Sequence, residues 1–232
     1  MVPVYEPPAE FFTNGSWAGI TDWQRELAPF YELAKRMLGV TDNPYESQSD
    51  KAMQLTAARM GVGDSFRLAP VAVHFGKGPG EVSADPYFGG AGPARKGCTN
   101  CGECMTGCRH DSKNTLVKNY LALAQRRGAV IQPLTTVTSF AHEDGRWVVT
   151  TRKTDSWSTQ SQTLTADHVV LAAGTYGTQK LLHRMKDERI LPQLSERLGY
   201  DSRTNSEALV GAVSNTDTVD YTDGVAITSS FY

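Results

Sequence analysis

The chain has 232 residues, room for one large domain or two small ones with a real hydrophobic core, so a peptide or mini-scaffold is excluded. Hydrophobic residues make up 40% and charged residues 21%, a composition that folds rather than stays disordered. Lys and Arg total 23 against 25 Asp and Glu, a formal net charge of -2 that offers no overall positive field to nucleic acid or anionic membrane.

The amino-terminal MVPVYEPPAEFF lacks the basic segment and apolar run of a secretory signal, so a cytoplasmic location is expected. The apolar run Val169 to Ala173 is far short of the roughly 20 residues of a transmembrane helix, and none is expected. Next, Trp23, Leu27, Phe30, Tyr31, Ala34 and Leu38 fall at helical spacing, with Asp22 as N-cap and Gly39 as stop, and Pro29 should break or kink this helix. A second helix is expected from about Ser49 to Met60, and PVAVHFG reads as a short strand. From Gly76 to Gly97, seven glycines and three prolines predict a loop.

All four cysteines, Cys98, Cys101, Cys104 and Cys108, follow that loop with the spacing CxxCxxCxxxC, and Gly97, Gly102 and Gly107 supply backbone freedom between them. Chemically this is the bacterial ferredoxin spacing for an iron–sulfur cubane, although Arg109 replaces the usual proline. Zinc more often draws its cysteines from two separated pairs. A metal or iron–sulfur site, disulfides and free packing thiols are the three readings of this run.

Beyond the cysteines, Asp111 or Ser112 should cap a helix over KNTLVKNYLALAQRRG that Gly128 terminates. Short β-type runs follow: AVIQPL, TVTSF, RWVVTTR and QTLTA. DHVVLAAG then reads as a fully buried strand turning at Gly174 into a helix over TQKLLHRMK, with Thr175 and Thr178 near its free N–H groups. The carboxyl ends of such strands are where α/β sheets bind cofactors.

The ordered series GCTNCGECMTGCRHDSKNTLVKNYLALA, GAVIQPLTTVTSF, ADHVVLAAGTYGTQKLL and LPQLSERLGYDSRTNSE resembles the flavin-dependent glucose-methanol-choline (GMC) oxidoreductases, on the cholesterol-oxidase-like branch. Upstream, YEPPAEFF, DWQRELAPFYELAKRMLGV and DPYFGGAGP look like the same branch. The resemblance implies a mixed α/β (α+β) chain. It would hold part of a Rossmann-like FAD/NAD(P)-binding domain with a β-meander, and part of a substrate-binding domain. The expected boundaries are 1–96 for a partial substrate-binding or cap region, 97–205 for a partial FAD-binding domain, and 206–232 for the start of the substrate-domain sheet. It further implies FAD as cofactor and hydride transfer from the CH–OH group of a sterol or other bulky alcohol. Val137 would meet the adenine through its main chain, Ala173 and Gly174 would lie against FAD, and Asn205 would run past the flavin.

The family's GxGxxG turn is absent, and neither the glycines of 76–80 nor those of 89–92 sit in a strand-to-helix context that could replace it. The family's catalytic histidine segment has no counterpart here. His74, His110, His142, His168 and His183 read as surface or packing residues, and no catalytic residue is assigned. The expectation is therefore an internal stretch of a longer enzyme, inert by itself. The alternative is an electron-transfer module built on an iron–sulfur or metal site at the four cysteines.

Overall fold

The structure, a computed structural model, describes residues 4–154, 160–203 and 208–232. The chain divides into two compact units, Met1–Val130 together with Val213–Tyr232, and Ile131–Ala212.

In the first unit, helix α1 (Ala9–Thr13) buries Phe12, whose ring meets that of Tyr31 at 6.3 Å. Helix α2 (Trp23–Leu38) starts where the Asp22 carboxylate accepts from the Arg25 N–H at 3.1 Å and ends at Gly39, whose φ of 57° closes it in the left-handed region. The expected break at Pro29 does not occur. Proline there withholds one N–H from the carbonyl four residues back, a cost confined to one turn of a 16-residue helix capped at both ends.

Helix α3 (Gln48–Arg59) opens with a capping box: Ser47 Oγ accepts from the Asp50 N–H, and the Asp50 carboxylate accepts from the Ser47 N–H at 2.8 Å. Buried Asp50 also accepts from the Thr228 hydroxyl, pinning the carboxyl-terminal segment to the helix start.

Only Pro70–Val71 of the predicted strand PVAVHFG forms a ladder, antiparallel to Thr41–Asp42, and Val73 adds a single bridge to Lys113. The segment is nevertheless the centre of the core, where Ala69, Val71 and Val73 pack with Cys98, Cys104 and Val225. The loop of 76–97 is irregular as expected, apart from a two-residue ladder between Val82–Ser83 and Arg95–Lys96. Fully buried Arg95 donates to the Asn114 side chain at 2.6 Å and to the Pro93 carbonyl at 2.6 Å, so its charge is solvated by protein oxygen.

The helix expected over residues 113–128 is shorter than its sequence promised. A 3₁₀ turn covers Leu116–Lys118, and helix α4 runs only over Tyr120–Arg126. Asn119, not Asp111 or Ser112, caps it, accepting from the Tyr120 N–H at 2.6 Å. Asp111 is instead committed to an ion pair with Lys118 at 2.6 Å.

The second unit is a three-stranded antiparallel meander with a helix. Strands β1 (Thr135–Glu143), β2 (Arg146–Lys153) and β3 (Ser161–Ala166) pair in that order, so β1 is an edge. The predicted runs TVTSF, RWVVTTR and QTLTA all lie within these strands, whereas AVIQPL forms none. Register shifts between Val137 and Ser139 leave Thr138 as an extra residue in a bulge. Phe140 is buried, in edge contact with Trp147 at 5.7 Å.

Helix α5 (Gly174–Asp187) contains the predicted TQKLLHRMK and buries Met185. The strand predicted before it is absent: residues 168–172 are unpaired, and Val170 is 88% exposed. An all-apolar strand needs a neighbour on each edge and a layer on each face, and among the described residues no strand pairs with this one.

Candidate functional site

The meander and α5 enclose a groove inside the second unit. Thr135, Thr136, Val137 and Thr138 of β1 form one wall with Arg152 of β2, and Ala173, Gly177, Lys180, Leu181 and Arg184 form the other. The cavity measures about 530 Å³ and is open to solvent. Two of the three residues singled out for a cofactor from sequence, Val137 and Ala173, are thus brought to one groove. Gly174 begins α5 with φ at +72°, and a Cβ added to it would meet nothing within 4 Å. Its glycine is therefore required by backbone conformation while leaving the bend open.

The groove's chemistry is cationic and small-residue. Arg152, Lys180 and Arg184 line it, and among the described residues no carboxylate or histidine does. Lys180 and Arg184 lie four apart on α5, one above the other on the same face. The Arg184 guanidinium donates to the Thr138 carbonyl at the bulge, fastening the helix to the edge strand. Ala173 at the N-cap offers no side-chain cap, and Thr175 and Thr178 lie in the first turns of α5. These properties suit a ligand that is anionic in part and flat or narrow where it passes Ala173 and Gly177. Sequence reading missed the three cations, although Lys180 and Arg184 at i and i+4 after the glycine turn were a usable signal. Asn205 lies outside the described residues.

The four cysteines converge on a second place, in the first unit. All four line one small cavity, with Val73, Thr99 and Lys113 also among its walls. All four are free thiols, so the disulfide reading does not hold in this structure. The loop is held by close backbone approach: a Cβ on Gly97 would sit 1.9 Å from the Gly78 carbonyl oxygen, and one on Gly102 at 1.9 Å from that of Thr222.

Burial raises the Cys98 thiol, with the neighbouring Cys104, Cys101 and Cys108 adding to it, against a lowering N–H bond from Asn100. Burial would raise Cys108 too, but the N–H groups of Lys113, Ser112 and His110 outweigh it and hold that thiol below its ordinary value. The cavity as it stands has room for about one water-sized atom. Among the described residues, no three His, Cys, Asp or Glu side chains already stand as a ligand set.

The histidines expected to be structural include His74, which is 9% exposed and bonded through its two ring nitrogens to Tyr87 Oη at 3.1 Å and Ser83 Oγ at 3.0 Å. No helix of the described residues is long and apolar enough to cross a membrane.

Residues 93–185, from the end of the glycine-rich loop through most of α5, match the GMC oxidoreductase family. The chain is 53% identical over 238 aligned positions to a cholesterol oxidase of Mycobacterium tuberculosis (strain ATCC 25618 / H37Rv), covering 99% of this chain and 41% of that protein. A cholesterol oxidase of Acinetobacter baumannii is 40% identical over 236 positions, covering 97% of this chain and 42% of its own length. The chain thus spans about two fifths of the curated relatives it matches. The family match over residues 93–185 and the likeness to these two proteins along nearly its whole length make the chain similar to GMC oxidoreductases.

Proposed function

We propose that this chain supplies part of the nucleotide-facing surface of an FAD-dependent oxidoreductase that oxidises the CH–OH group of a sterol or another bulky alcohol. The observation that carries the reading is the groove in which Val137 of the meander edge and Ala173 at the head of α5 face a common space. The relatives' name, cholesterol oxidase, supports a sterol as substrate.

The residues present fit FAD on chemical grounds. Small Ala173 and Gly177 admit a ligand close to the main chain, and Arg152, Lys180 and Arg184 offset the charge of a diphosphate. The edge position of β1 leaves main-chain groups near Val137 that are not spent on β2, the kind of donor and acceptor that reads a base edge. When bound, the flavin supplies the hydride-accepting chemistry. This chain's groove binds and orients through its cations and small residues. For the substrate, the apolar hollow of Pro8, Phe11 and Trp17 offers a surface suited to a sterol ring system.

Titrating FAD into the 232-residue chain and following flavin fluorescence tests the reading. Weak, saturable quenching that Lys180→Glu abolishes is expected, with no turnover of cholesterol. Quenching indifferent to Lys180→Glu, or none at all, contradicts it.

A further inference from the structure

We propose that Cys98, Cys101, Cys104 and Cys108 hold a single thiophilic divalent ion of the zinc class as a tetrathiolate centre. The inference rests on residues of the first unit only and stands apart from the flavin reading.

Convergence comes first. The four cysteines sit on one short segment and all line one cavity. The second observation is where the surrounding backbone spends its donors. The Asn100 N–H donates to Cys98 Sγ at 3.4 Å, and the N–H groups of Ser112 and Lys113 donate to Cys108 Sγ at 3.3 and 3.4 Å. A neutral thiol is a weak acceptor, so main-chain N–H groups aimed at sulfur are well used only when it carries negative charge, as a metal-bound thiolate does.

A third observation is the Thr99 hydroxyl, which lies beside the same cavity, is buried, and has no hydrogen-bond partner among the described residues. A buried hydroxyl without a partner costs about 1–3 kcal/mol. A thiolate sulfur in the cavity would accept a hydrogen bond from it.

The available room decides between centres. With space for about one water-sized atom as it stands, the cavity takes one ion with less rearrangement of the loop than a cubane. Two backbone bonds tether the middle of the loop: the Gly102 N–H donates to the Gly224 carbonyl at 2.9 Å, and the Gly224 N–H donates to that of Asn100 at 2.8 Å.

Binding is acid–base and not redox: each thiol gives up its proton as it takes the metal, so four protons leave for one ion. The centre then carries two net negative charges. These are offset by the N–H donors and by Lys113, whose ammonium is anchored to the Cys104 carbonyl at 2.9 Å. Because the thiols are not yet a ready ligand set, the ion must draw them inward, and binding should order the loop.

The test uses the reduced 232-residue chain under anaerobic conditions, with zinc and cobalt(II) as probes. One zinc per chain retained through desalting, protection of all four thiols from alkylation, and the intense visible and charge-transfer bands of tetrahedral cobalt thiolate are expected. Cys101→Ser, at the exposed cysteine and so compatible with folding, should lose retained zinc, and Thr99→Val should weaken binding about 10-fold. Alkylation unaffected by zinc overturns the proposal, as does a pale cobalt spectrum of oxygen and nitrogen ligands. Reconstitution with iron and sulfide to a stoichiometric, cysteine-dependent chromophore overturns the single-ion centre in favour of a cluster.

Discussion

The guanidinium of Arg184 donates to the carbonyl of Thr138, the extra residue of the β1 bulge, and so ties α5 to the strand that carries Val137. A bulge releases backbone groups from the ladder, and here one of them becomes the anchor that sets the groove's two walls. Arg184→Ala should therefore destabilise the second unit by about 1 kcal/mol, a charge-assisted bond discounted for the exposure of the side chain. It should weaken FAD binding as well. Arg184→Lys keeps the charge but not the fork and should recover binding only in part. Denaturant unfolding alongside FAD titration of both variants checks this.

Glycines in the two units should respond differently to the same methyl group. Gly174→Ala meets open space, so its cost is the positive φ alone, about 1–2 kcal/mol. Gly102→Ala adds a collision with the Thr222 carbonyl to a φ of +70° and should prevent native packing around the cysteines. Gly107→Ala, with φ at +113° but nothing within 4 Å, separates strain from collision. Thermal unfolding of the three variants should rank Gly102→Ala as by far the most damaging.

Asp50 should govern the acid limb of stability. Burial alone would raise its carboxyl, but hydrogen bonds from Thr228, Ser229 and Ser47 outweigh that and lower it below the usual 3.8. A carboxyl lowered on folding contributes stability that is complete above the unfolded value and is lost as pH falls through the folded one. Asp50→Asn should cost about 2 kcal/mol at neutral pH, through the capping box and the link to Thr228, and should flatten the acid dependence. Urea midpoints measured from neutral pH down to pH 2 test it.

His74 works in the same direction at milder pH. Burial, then the nearby Arg95, hold its imidazole below the usual 6.5, so the folded chain binds fewer protons than the unfolded chain just under that value. Stability should fall as pH drops through 6.5 toward the folded value and level off below it. NMR titration of the ring protons should place His74 beneath 6.5, and His74→Gln should remove this part of the pH dependence.

Elements whose cause is local were legible in the sequence. Asp22, the apolar spacing of α2 and Gly39 fix that helix by capping and periodicity alone, and the meander strands followed from alternation and turn residues. Where a tertiary partner decides, the reading failed. Lys118 takes Asp111 away from capping, which leaves Asn119 to start α4. The run from Val169 to Ala173 has strand-forming residues but no strand beside it among the described ones. Val137 and Ala173 entered through family likeness, whereas the cations opposite them depend on how α5 lies along β1, which no spacing along the chain reveals.

A nucleotide that Val137 and Ala173 both face has a direct signature. Amide NMR of the isotope-labelled chain titrated with FAD reads this directly. The account predicts shifts concentrated at residues 135–138, Ala173, Gly174 and Gly177, graded with ligand and reproduced in weaker form by ADP. Shifts scattered over the first unit, with residues 135–138 and the start of α5 unmoved, would contradict it.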